Sequence, residues 1–217
     1  MATATESPPL PERTVADLLA ALGNVPPNRI LLKGPLGKAT EKDVVEVDNQ
    51  TGRAPELIDG VLVEKTVGYL ESLLAMALGD YLRAFVLPEK LGIVLGEGGT
   101  LRILLGQVRV PDVCFISRDR FQGGKLPKAP IPGLAPDLAV EILSASNTPG
   151  EMQRKLRDYF AAGVRLVWYI DPPTRTAEVY TSVDKVDTLT EDDILDGCEV
   201  LRGFTLPLSK LFAELDL

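Results

Sequence analysis

Residues Asp137–Ser144 have the sequence DLAVEILS, which is typical of a buried β-strand that carries one charged side chain. Because side chains alternate along a strand, one face carries only Leu, Val and Ile, and the other carries Glu141 between Ala139 and Leu143. Apolar residues on both faces are expected for a central strand that helices cover on both sides. A carboxylate there is unfavourable unless it is paired or binds a metal. Glu141 is therefore either a core residue in a salt bridge or a metal ligand.

The segments after this stretch predict a strand–helix–strand unit around Glu141. Residues 149–162 predict a helix, which Pro149 is suited to begin. Residues 164–170 (VRLVWYI) predict a second buried strand, and residues 176–181 predict a strand that pairs with it as a hairpin. Two buried strands joined by a helix predict a right-handed parallel crossover within a mixed sheet.

The segments before this stretch predict a hairpin and a long helix. In residues 56–64 (ELIDGVLVE), Asp59 and Gly60 favour the positive φ angles of a tight primed turn. Apolar residues at spacings of three and four between residues 66 and 87 predict a core-facing helix. Glu71 lies near the start of this helix, where the helix dipole favours a carboxylate, and that position alone favours a structural role.

Residues 107–117 (QVRVPDVCFIS) predict one further strand. Pro111 removes a backbone donor, which indicates an edge position or a bulge. Asp112 follows it directly, and bulges often redirect side chains near active sites.

Composition excludes several classes of site. The 217 residues contain 45% hydrophobic and 25% charged residues, which is typical of one globular domain. The chain has no His, which excludes Ser-His-Asp and Cys-His catalysis and any His metal ligand. Cys114 and Cys198 are the two cysteines, so neither a disulfide framework nor Cys/His zinc spacing is expected.

The sequence lacks an apolar run near the roughly 20 residues of a membrane span, and also a basic-then-apolar leader. A cytoplasmic protein without a membrane partner is therefore expected. Residues 1–45 are predicted to be an N-terminal tail with short helices, and residues 46–217 a single domain. The first twelve residues are small, polar and rich in proline, as in a loose tail.

The formal net charge of −8 argues against tight, nonspecific binding to duplex DNA, but not against a local basic patch. The candidates for such a patch are Arg102, Arg109, Arg118, Arg120, Lys125 and Lys128. The acidity is compatible with metal binding by clustered carboxylates.

Asp112, Glu141 and Lys155 are polar residues in otherwise apolar or core-edge settings. Two carboxylates on adjacent strands are suited to hold a hard divalent cation. Such an ion polarises a phosphate and lowers the pKa of a bound water, and a nearby lysine can orient or deprotonate that water. The spacing by itself is a weak signal.

Four motifs strengthen this interpretation, because together they resemble the Uma2 family over residues 53–211. They are ELIDG at 56–60, VPDV at 110–113, PDLAVEILS at 136–144, and the segment from Lys155 to Pro172 with Tyr159, Gly163, Val164, Trp168 and Asp171. Uma2 proteins are assigned to the PD-(D/E)XK, or restriction-endonuclease-like, superfamily. The resemblance implies an α/β (mixed α+β) fold: a restriction-endonuclease-like core with a central mixed β-sheet flanked by helices, here with an N-terminal extension.

The resemblance also implies a phosphodiesterase centre that depends on Mg²⁺ or Mn²⁺. Asp112 matches the first acidic residue of the motif, and Glu141 matches the second. The motif's lysine usually follows two residues after the Glu, where this chain has Leu143. Lys155 on the following helix matches the lysine of the Uma2 pattern, so the implied catalytic residues are Asp112, Glu141 and Lys155.

A second departure concerns the long helix. Many family members have a His near its start, whereas this chain has Glu71 and Ser72 there. Glu71 is therefore a candidate third metal ligand beside Asp112 and Glu141, or else the metal site is weaker. Glu56 is also family-like, and its hairpin gives it an alternative structural role.

Two functions follow from these observations. The first is a metal-dependent endonuclease that hydrolyses DNA phosphodiester bonds, and the second is a catalytically inactive binding or assembly module on the same fold. An exposed sheet edge near the C-terminal strands makes a homodimer plausible. Four aromatic residues are predicted to be core rather than base-stacking residues, namely Tyr159, Phe160, Trp168 and Tyr169.

Overall fold

The computed structural model describes residues 14–216, so the predicted loose tail of the first twelve residues lies outside the described residues. This part of the chain forms five α-helices: α1 (Val15–Ala21), α2 (Glu41–Thr51), α3 (Tyr69–Val86), α4 (Pro149–Ala161) and α5 (Leu208–Phe212). The strands of the N-terminal half are β1 (Ile30–Leu31), β2 (Glu56–Ile58), β3 (Val61–Val63), β4 (Gly92–Leu95), β5 (Leu101–Leu104), β6 (Gln107–Arg109) and β7 (Val113–Ser117). The strands of the C-terminal half are β8 (Leu138–Ile142), β9 (Leu166–Asp171), β10 (Thr176–Ser182), β11 (Lys185–Thr190), β12 (Ile194–Asp196) and β13 (Thr205–Pro207).

A six-stranded mixed sheet forms the centre of the molecule, with the strand order β11-β10-β9-β8-β7-β4. β8 and β9 are parallel and are joined through α4, whereas the other neighbours are antiparallel. The predicted crossover, the hairpin of β9 with β10 and the central position of DLAVEILS are therefore confirmed. The α/β fold with a mixed sheet and flanking helices is confirmed with them.

The two faces of this sheet carry separate cores. Leu138, Val140 and Ile142 face a core that includes residues of α3 and α5. Ala139 faces the other core, which includes Leu156 and further residues of α4. Because side chains alternate along β8, Glu141 points to the same face as Ala139 and therefore toward α4.

A five-stranded sheet with the order β1-β3-β2-β6-β5 packs beside the central one. Its β2–β3 hairpin turns at Asp59 and Gly60, whose φ angles of 48° and 79° confirm the predicted primed turn. The predicted long helix is also confirmed, but α3 begins only at Tyr69. The residues between β3 and α3 have no regular structure, and Lys65 is one of them.

The prediction of one continuous strand over residues 107–117 is wrong. β6 belongs to the five-stranded sheet and β7 to the six-stranded sheet, so the chain changes sheets at Val110, Pro111 and Asp112. Pro111 lacks the N–H that would continue a ladder, which suits it to this crossing point. Asp112 is thus placed where the two sheets meet.

The segment before α2 packs on the start of α4. The Arg29 guanidinium donates two hydrogen bonds of 2.9 Å to the carboxylate of Glu151, and both side chains are buried. The backbones of Gly23 and Gly150 approach so closely that a side chain on either would clash. The predicted domain boundary after residue 45 lies inside α2, and the division itself stays a prediction.

Across residues 14–216, no helix has both the length and the apolar character that a membrane crossing requires.

Candidate active site

Asp112 and Glu141 lie where the β7–β8 ladder ends. The last pair of this antiparallel ladder is Val113 with Val140, and Asp112 and Glu141 are the next residues beyond it. The Asp112 N–H donates to the Val140 carbonyl at 3.1 Å, and Asp112 Oδ2 accepts the Ile142 N–H at 2.7 Å. Both carboxylates are buried, with residue exposures of 4% and 3%. Asp112 is therefore hydrogen-bonded to the backbone of β8 on both sides of Glu141.

The ammonium of Lys65 lies between these two carboxylates. Its Nζ is 2.8 Å from Asp112 Oδ1 and 3.8 Å from Glu141 Oε2, and it donates a hydrogen bond to the Val110 carbonyl. Sequence reasoning did not identify Lys65. The available signal was alternation, because Lys65 continues the period-two pattern of Val61 and Val63 beyond the end of β3.

Lys155 contacts Glu141 from the opposite side. Its Nζ is 3.1 Å from Glu141 Oε2 and also 3.1 Å from Glu56 Oε1. Tyr159 lies one helical turn later on α4, and its hydroxyl donates a 2.5 Å hydrogen bond to Glu141 Oε1. The predicted pairing of a helix lysine with the strand carboxylate is present in the structure, whereas the contact from Tyr159 was not foreseen.

Arg109 completes the group on the far side of Glu56. Its Nη1 donates to Glu56 Oε2 at 2.6 Å, and its Nη2 donates to the carboxylate of Asp158. Arg109 is only 1% exposed, so it is unable to contribute to a DNA-binding patch as the sequence analysis suggested. The reason is its position on β6, which lies between β2 and β5 and points this side chain inward.

Together these residues form what we call the charged cluster. Its members are Glu56, Lys65, Arg109, Asp112, Glu141 and Lys155. Among these six residues, three carboxylates face three cations, and Asp158 is a further carboxylate that pairs with Arg109. Pairing with opposite charges is what permits ionised groups in a protein interior, although the buried Arg109 Nε has no hydrogen-bond partner.

Burial and the neighbouring opposite charges shift the pKa values of the cluster in opposite directions. Burial acts to raise the pKa of the Glu56 carboxyl, but Lys155, Arg109 and Lys65 outweigh it and hold the pKa well below its usual range. Burial acts to lower the pKa of Lys155, but Glu141 and Glu56 raise it overall. Lys155 is thereby held as an ammonium ion. For Glu141 burial prevails, and its pKa is raised although Lys155 and Lys65 oppose the shift.

A cleft of about 780 Å³ opens beside the cluster, and Lys65 and Val110 line it. A neighbouring pocket of about 320 Å³ is lined by Asp112 and shares Ser72, Met76 and Glu97 with the cleft. The cleft has the size expected of a ligand site. Of the two facing carboxylates, Asp112 is the one nearer to solvent, and Glu141 lies behind it.

Glu97 is a further carboxylate that sequence reasoning missed. Burial and the charge of Asp112 raise its pKa, so its carboxyl lies within electrostatic reach of Asp112. The signal for it was the glycine-rich turn after β4, which carries this one acidic residue.

Glu71 has a different environment from the one expected of a third ligand. Its carboxylate lies directly over Gly68 at the N-terminus of α3, where any side chain on residue 68 would clash with it. Among residues 14–216 no three Cys, Asp or Glu side chains are grouped as in a metal site, so the structure does not join Glu71 to Asp112 and Glu141. Its role as a ligand stays a prediction.

The other basic candidates lie away from the cleft. Arg102 and Arg120 line a separate groove of about 450 Å³, and Arg120 also pairs with Asp137 at 3.0 Å. Lys125 and Lys128 are exposed in the loop that follows. The aromatic core prediction fits Tyr159, Trp168 and Tyr169, which are buried, and Phe160, which is partly buried against the core that contains Tyr159 and Tyr169.

The oxygen atoms around Lys65 Nζ have the chemistry of a divalent metal site. They are two carboxylate oxygens, from Asp112 and Glu141, and one backbone carbonyl oxygen, from Val110. Hard cations such as Mg²⁺ prefer these oxygen donors, and Mg²⁺ keeps several water ligands of its own. The oxygen atoms of Asp112, Glu141 and Val110 therefore fit the divalent ion that the family resemblance implies. In this structure they surround the ammonium of Lys65.

Comparisons with known proteins agree with this architecture. The family model of Uma2, described as "Putative restriction endonuclease", matches residues 42–209. A crystal structure of a "putative nuclease" of DUF820 from Anabaena variabilis superposes with a TM-score of 0.67 at 22% sequence identity. The match covers 76% of this chain and 93% of the other, and at this identity it shows the fold alone. No curated protein matches the sequence significantly.

The matched residues 42–209 contain the whole charged cluster and both carboxylates that face Lys65. They also contain all six strands of the mixed central sheet and the crossover helix α4. Because the family model spans most of the chain, the match establishes membership. The chain belongs to the Uma2 family.

Proposed function

We propose that this protein is a metal-dependent endonuclease that hydrolyses DNA phosphodiester bonds with Mg²⁺ or Mn²⁺. The observation that supports this most strongly is the convergence of Asp112, Glu141 and the Val110 carbonyl on one cation position beside a cleft. Buried carboxylates that share a cation next to a cleft are typical of functional sites. The family description supports DNA as the substrate.

In this proposal, Asp112, Glu141 and the Val110 carbonyl hold the ion. When bound, the ion polarises the phosphate and lowers the pKa of a bound water. The 2.7 Å hydrogen bond from the Ile142 N–H orients Asp112 so that Oδ1 faces the cation position. The catalytic role that the sequence analysis gave to Lys155 stays a prediction. Its contact with Glu141 and its 3% exposure favour a positioning residue that holds Glu141 in place.

Tyr159 and Lys155 each donate a hydrogen bond to a different oxygen of the Glu141 carboxylate. Tyr159 donates to Oε1 and Lys155 to Oε2, so the carboxylate is fixed at both atoms. A carboxylate held in this way keeps its orientation when the cation beside it changes. Preorganisation of this kind reduces the cost of binding a charged ligand.

The test is nicking of supercoiled plasmid and of single-stranded DNA by the purified protein with Mg²⁺ or Mn²⁺. Asp112→Asn is expected to reduce the cleavage rate at least about 100-fold, since a metal contributes several kcal/mol to the transition state. Asp137→Asn is a matched control, because Asp137 is a buried carboxylate on the same sheet that is paired with Arg120 and Arg165 instead. Cleavage should survive in this control.

Glu71→Gln tests the third ligand directly. Retained cleavage would show that Glu71 has only a structural role at the start of α3. A loss as large as that of Asp112→Asn would support Glu71 as a metal ligand. If neither ion supports cleavage of any DNA form, and Asp112→Asn leaves Mn²⁺ binding unchanged, the proposed function is wrong.

The second candidate is a catalytically inactive binding or assembly module. The specific observation in its favour is that the carboxylates are already neutralised by Lys65, Lys155 and Arg109. An inactive module would bind partners with affinities that do not respond to Mn²⁺. A nuclease would bind DNA less well as salt rises, and its binding would respond to the metal.

A homodimer and a cytoplasmic location stay predictions. β11 is an edge strand of the central sheet, and most of its residues are exposed. An open edge of this kind is suited to pair with a second copy. Light scattering at increasing protein concentration would show whether the copies associate.

A further inference from the structure

The two lysines that contact Glu141 differ in their access to solvent. The side chain of Lys155 is 3% exposed and is held by α4 between Glu56 and Glu141. The side chain of Lys65 is 13% exposed, lines the large cleft and lies in a segment without regular structure. The Lys155 ammonium is therefore enclosed by protein, whereas the Lys65 side chain borders the cleft.

The net charge of the cluster connects Lys65 to the binding of any divalent ion. The six residues of the charged cluster carry three negative and three positive charges, so adding a divalent ion would leave these six with two excess positive charges. If Lys65 leaves as the ion enters, the excess is one. In an interior of low dielectric, like charges a few ångströms apart repel strongly.

The oxygen atoms around Lys65 Nζ are also those that the proposed metal would use. They belong to Asp112, Glu141 and Val110. The ammonium and a divalent ion would therefore compete for the same three oxygen atoms.

The released side chain has room and partners outside. The cleft volume of about 780 Å³ is much larger than an ammonium group, and Asp48 and Glu97 line the same cleft. Lysine is suited to such a movement, since its charge is carried on a flexible four-carbon stem.

We infer that Lys65 is a built-in cation that occupies the divalent-ion position until a metal arrives, and that metal binding requires the Lys65 ammonium to move into the cleft. The exchange keeps the carboxylates neutralised in the metal-free protein. It also makes metal binding competitive with an internal ion pair, so that affinity is set in part by a residue that is not a ligand. This inference rests on the metal dependence proposed above, but not on DNA hydrolysis.

The first test compares Mn²⁺ affinity by electron paramagnetic resonance in the wild type, Lys65→Met and Lys65→Arg. Removing the competing cation should tighten Mn²⁺ binding at least about tenfold, which corresponds to the loss of one modest ion pair. Lys65→Arg keeps the charge and is the matched control, so its affinity should not rise. Addition of Asp112→Asn to Lys65→Met should abolish the gain.

The second test uses the wild type and does not depend on the folding of a variant. Lysine acetylation is followed by mass spectrometry with and without saturating Mn²⁺, and Lys155 serves as the enclosed internal reference. Movement of Lys65 into the cleft should raise its rate of modification at least about threefold, because the exposed fraction of its side chain increases. The rate for Lys155 should not change.

The inference is overturned if Lys65→Met binds Mn²⁺ no more tightly than the wild type, or if Mn²⁺ leaves the modification rate of Lys65 unchanged. Neither measurement uses DNA. Tighter binding in Lys65→Met together with absent DNA cleavage would support the cation exchange while overturning the proposed nuclease. DNA cleavage that depends on Asp112, together with an unchanged Mn²⁺ affinity in Lys65→Met, would support the proposed nuclease while overturning the cation exchange.

Discussion

The charged cluster has an inner half and an outer half that are built differently. The inner half consists of Glu56, Arg109, Glu141 and Lys155, and the outer half consists of Lys65 and Asp112. Each carboxylate of the inner half has two cations or strong donors, and side-chain exposures there are 4% or less. In the outer half, Lys65 lines the cleft and comes from an irregular segment, and Asp112 lines the neighbouring pocket.

This difference indicates that the inner half stabilises the fold, whereas the outer half is suited to the proposed exchange of cations. Inner contacts run between β2, β6, β8 and α4, so they tie both sheets and the crossover helix together. Outer contacts join two residues beside an open space. We expect substitutions in the inner half to change stability strongly, and substitutions in the outer half to change metal binding with little change in stability.

The largest effect is expected for Lys155→Met, which leaves Glu56 and Glu141 buried with one fewer cation each. Breaking a buried ion pair on one side costs about 3–5 kcal/mol. Urea unfolding, followed by circular dichroism, measures the loss. A change below about 1 kcal/mol would show that the inner half does not support the fold, and the comparison would fail.

A smaller effect is expected for Tyr159→Phe, which removes one hydrogen bond to Glu141 and keeps the ring in the core. A hydrogen bond to a charged acceptor contributes about 1.5–3 kcal/mol. The same unfolding measurement applies. Tyr169→Phe is the matched control, because its hydroxyl donates to the uncharged Met152 carbonyl and its loss should cost less.

The pH dependence of stability is expected to change in Glu56→Gln. Glu56 is ionised in the folded protein well below 4.5, its ordinary pKa, so the unfolded state takes up the proton first as the pH falls. This contribution to stability is fully present above the ordinary pKa and decreases as the pH falls toward the folded value. The free energy of unfolding should therefore fall less steeply in Glu56→Gln than in the wild type between about pH 5 and pH 3. Equal slopes would contradict the depressed pKa of Glu56.

The smallest effect on stability is expected for Lys65→Met. Asp112 keeps its hydrogen bond from Ile142 and borders a pocket from which water can solvate it. The expected loss is smaller than that for Lys155→Met, because Lys65 is the more exposed of the two lysines and pairs closely with only one carboxylate. A loss equal to that of Lys155→Met would remove the distinction between the two halves and would make Lys65 a structural residue.

Much of the fold followed from local patterns. The ELIDG hairpin, the long helix, the DLAVEILS strand and its crossover through α4 all have strong periodicity or turn residues, and all are present. The strand at residues 107–117 was misread, because a proline between two apolar runs is compatible both with a bulge and with a change of sheet. Only the pairing partners distinguish these two cases.

The candidate site was predicted in part. Asp112, Glu141 and Lys155 were identified from burial and family resemblance, and the structure brings Glu141 to both Lys155 and the position next to Asp112. Lys65 and Glu97 were missed, because each comes from a connecting segment with no sequence motif. Arg109 was misassigned to the surface, because sequence alone does not show which strands lie inside a sheet.

By itself, the sequence determined which residues are anomalous: a carboxylate in an apolar strand, an acidic residue after a proline, and a lysine bordering a helical stripe. Local periodicity is enough for this, because burial follows from the alternation of side chains. The tertiary structure decided which charges meet. Lys65 and Glu141 are 76 residues apart in the printed sequence, and only the junction of the two sheets brings the Lys65 ammonium within 3.8 Å of that carboxylate.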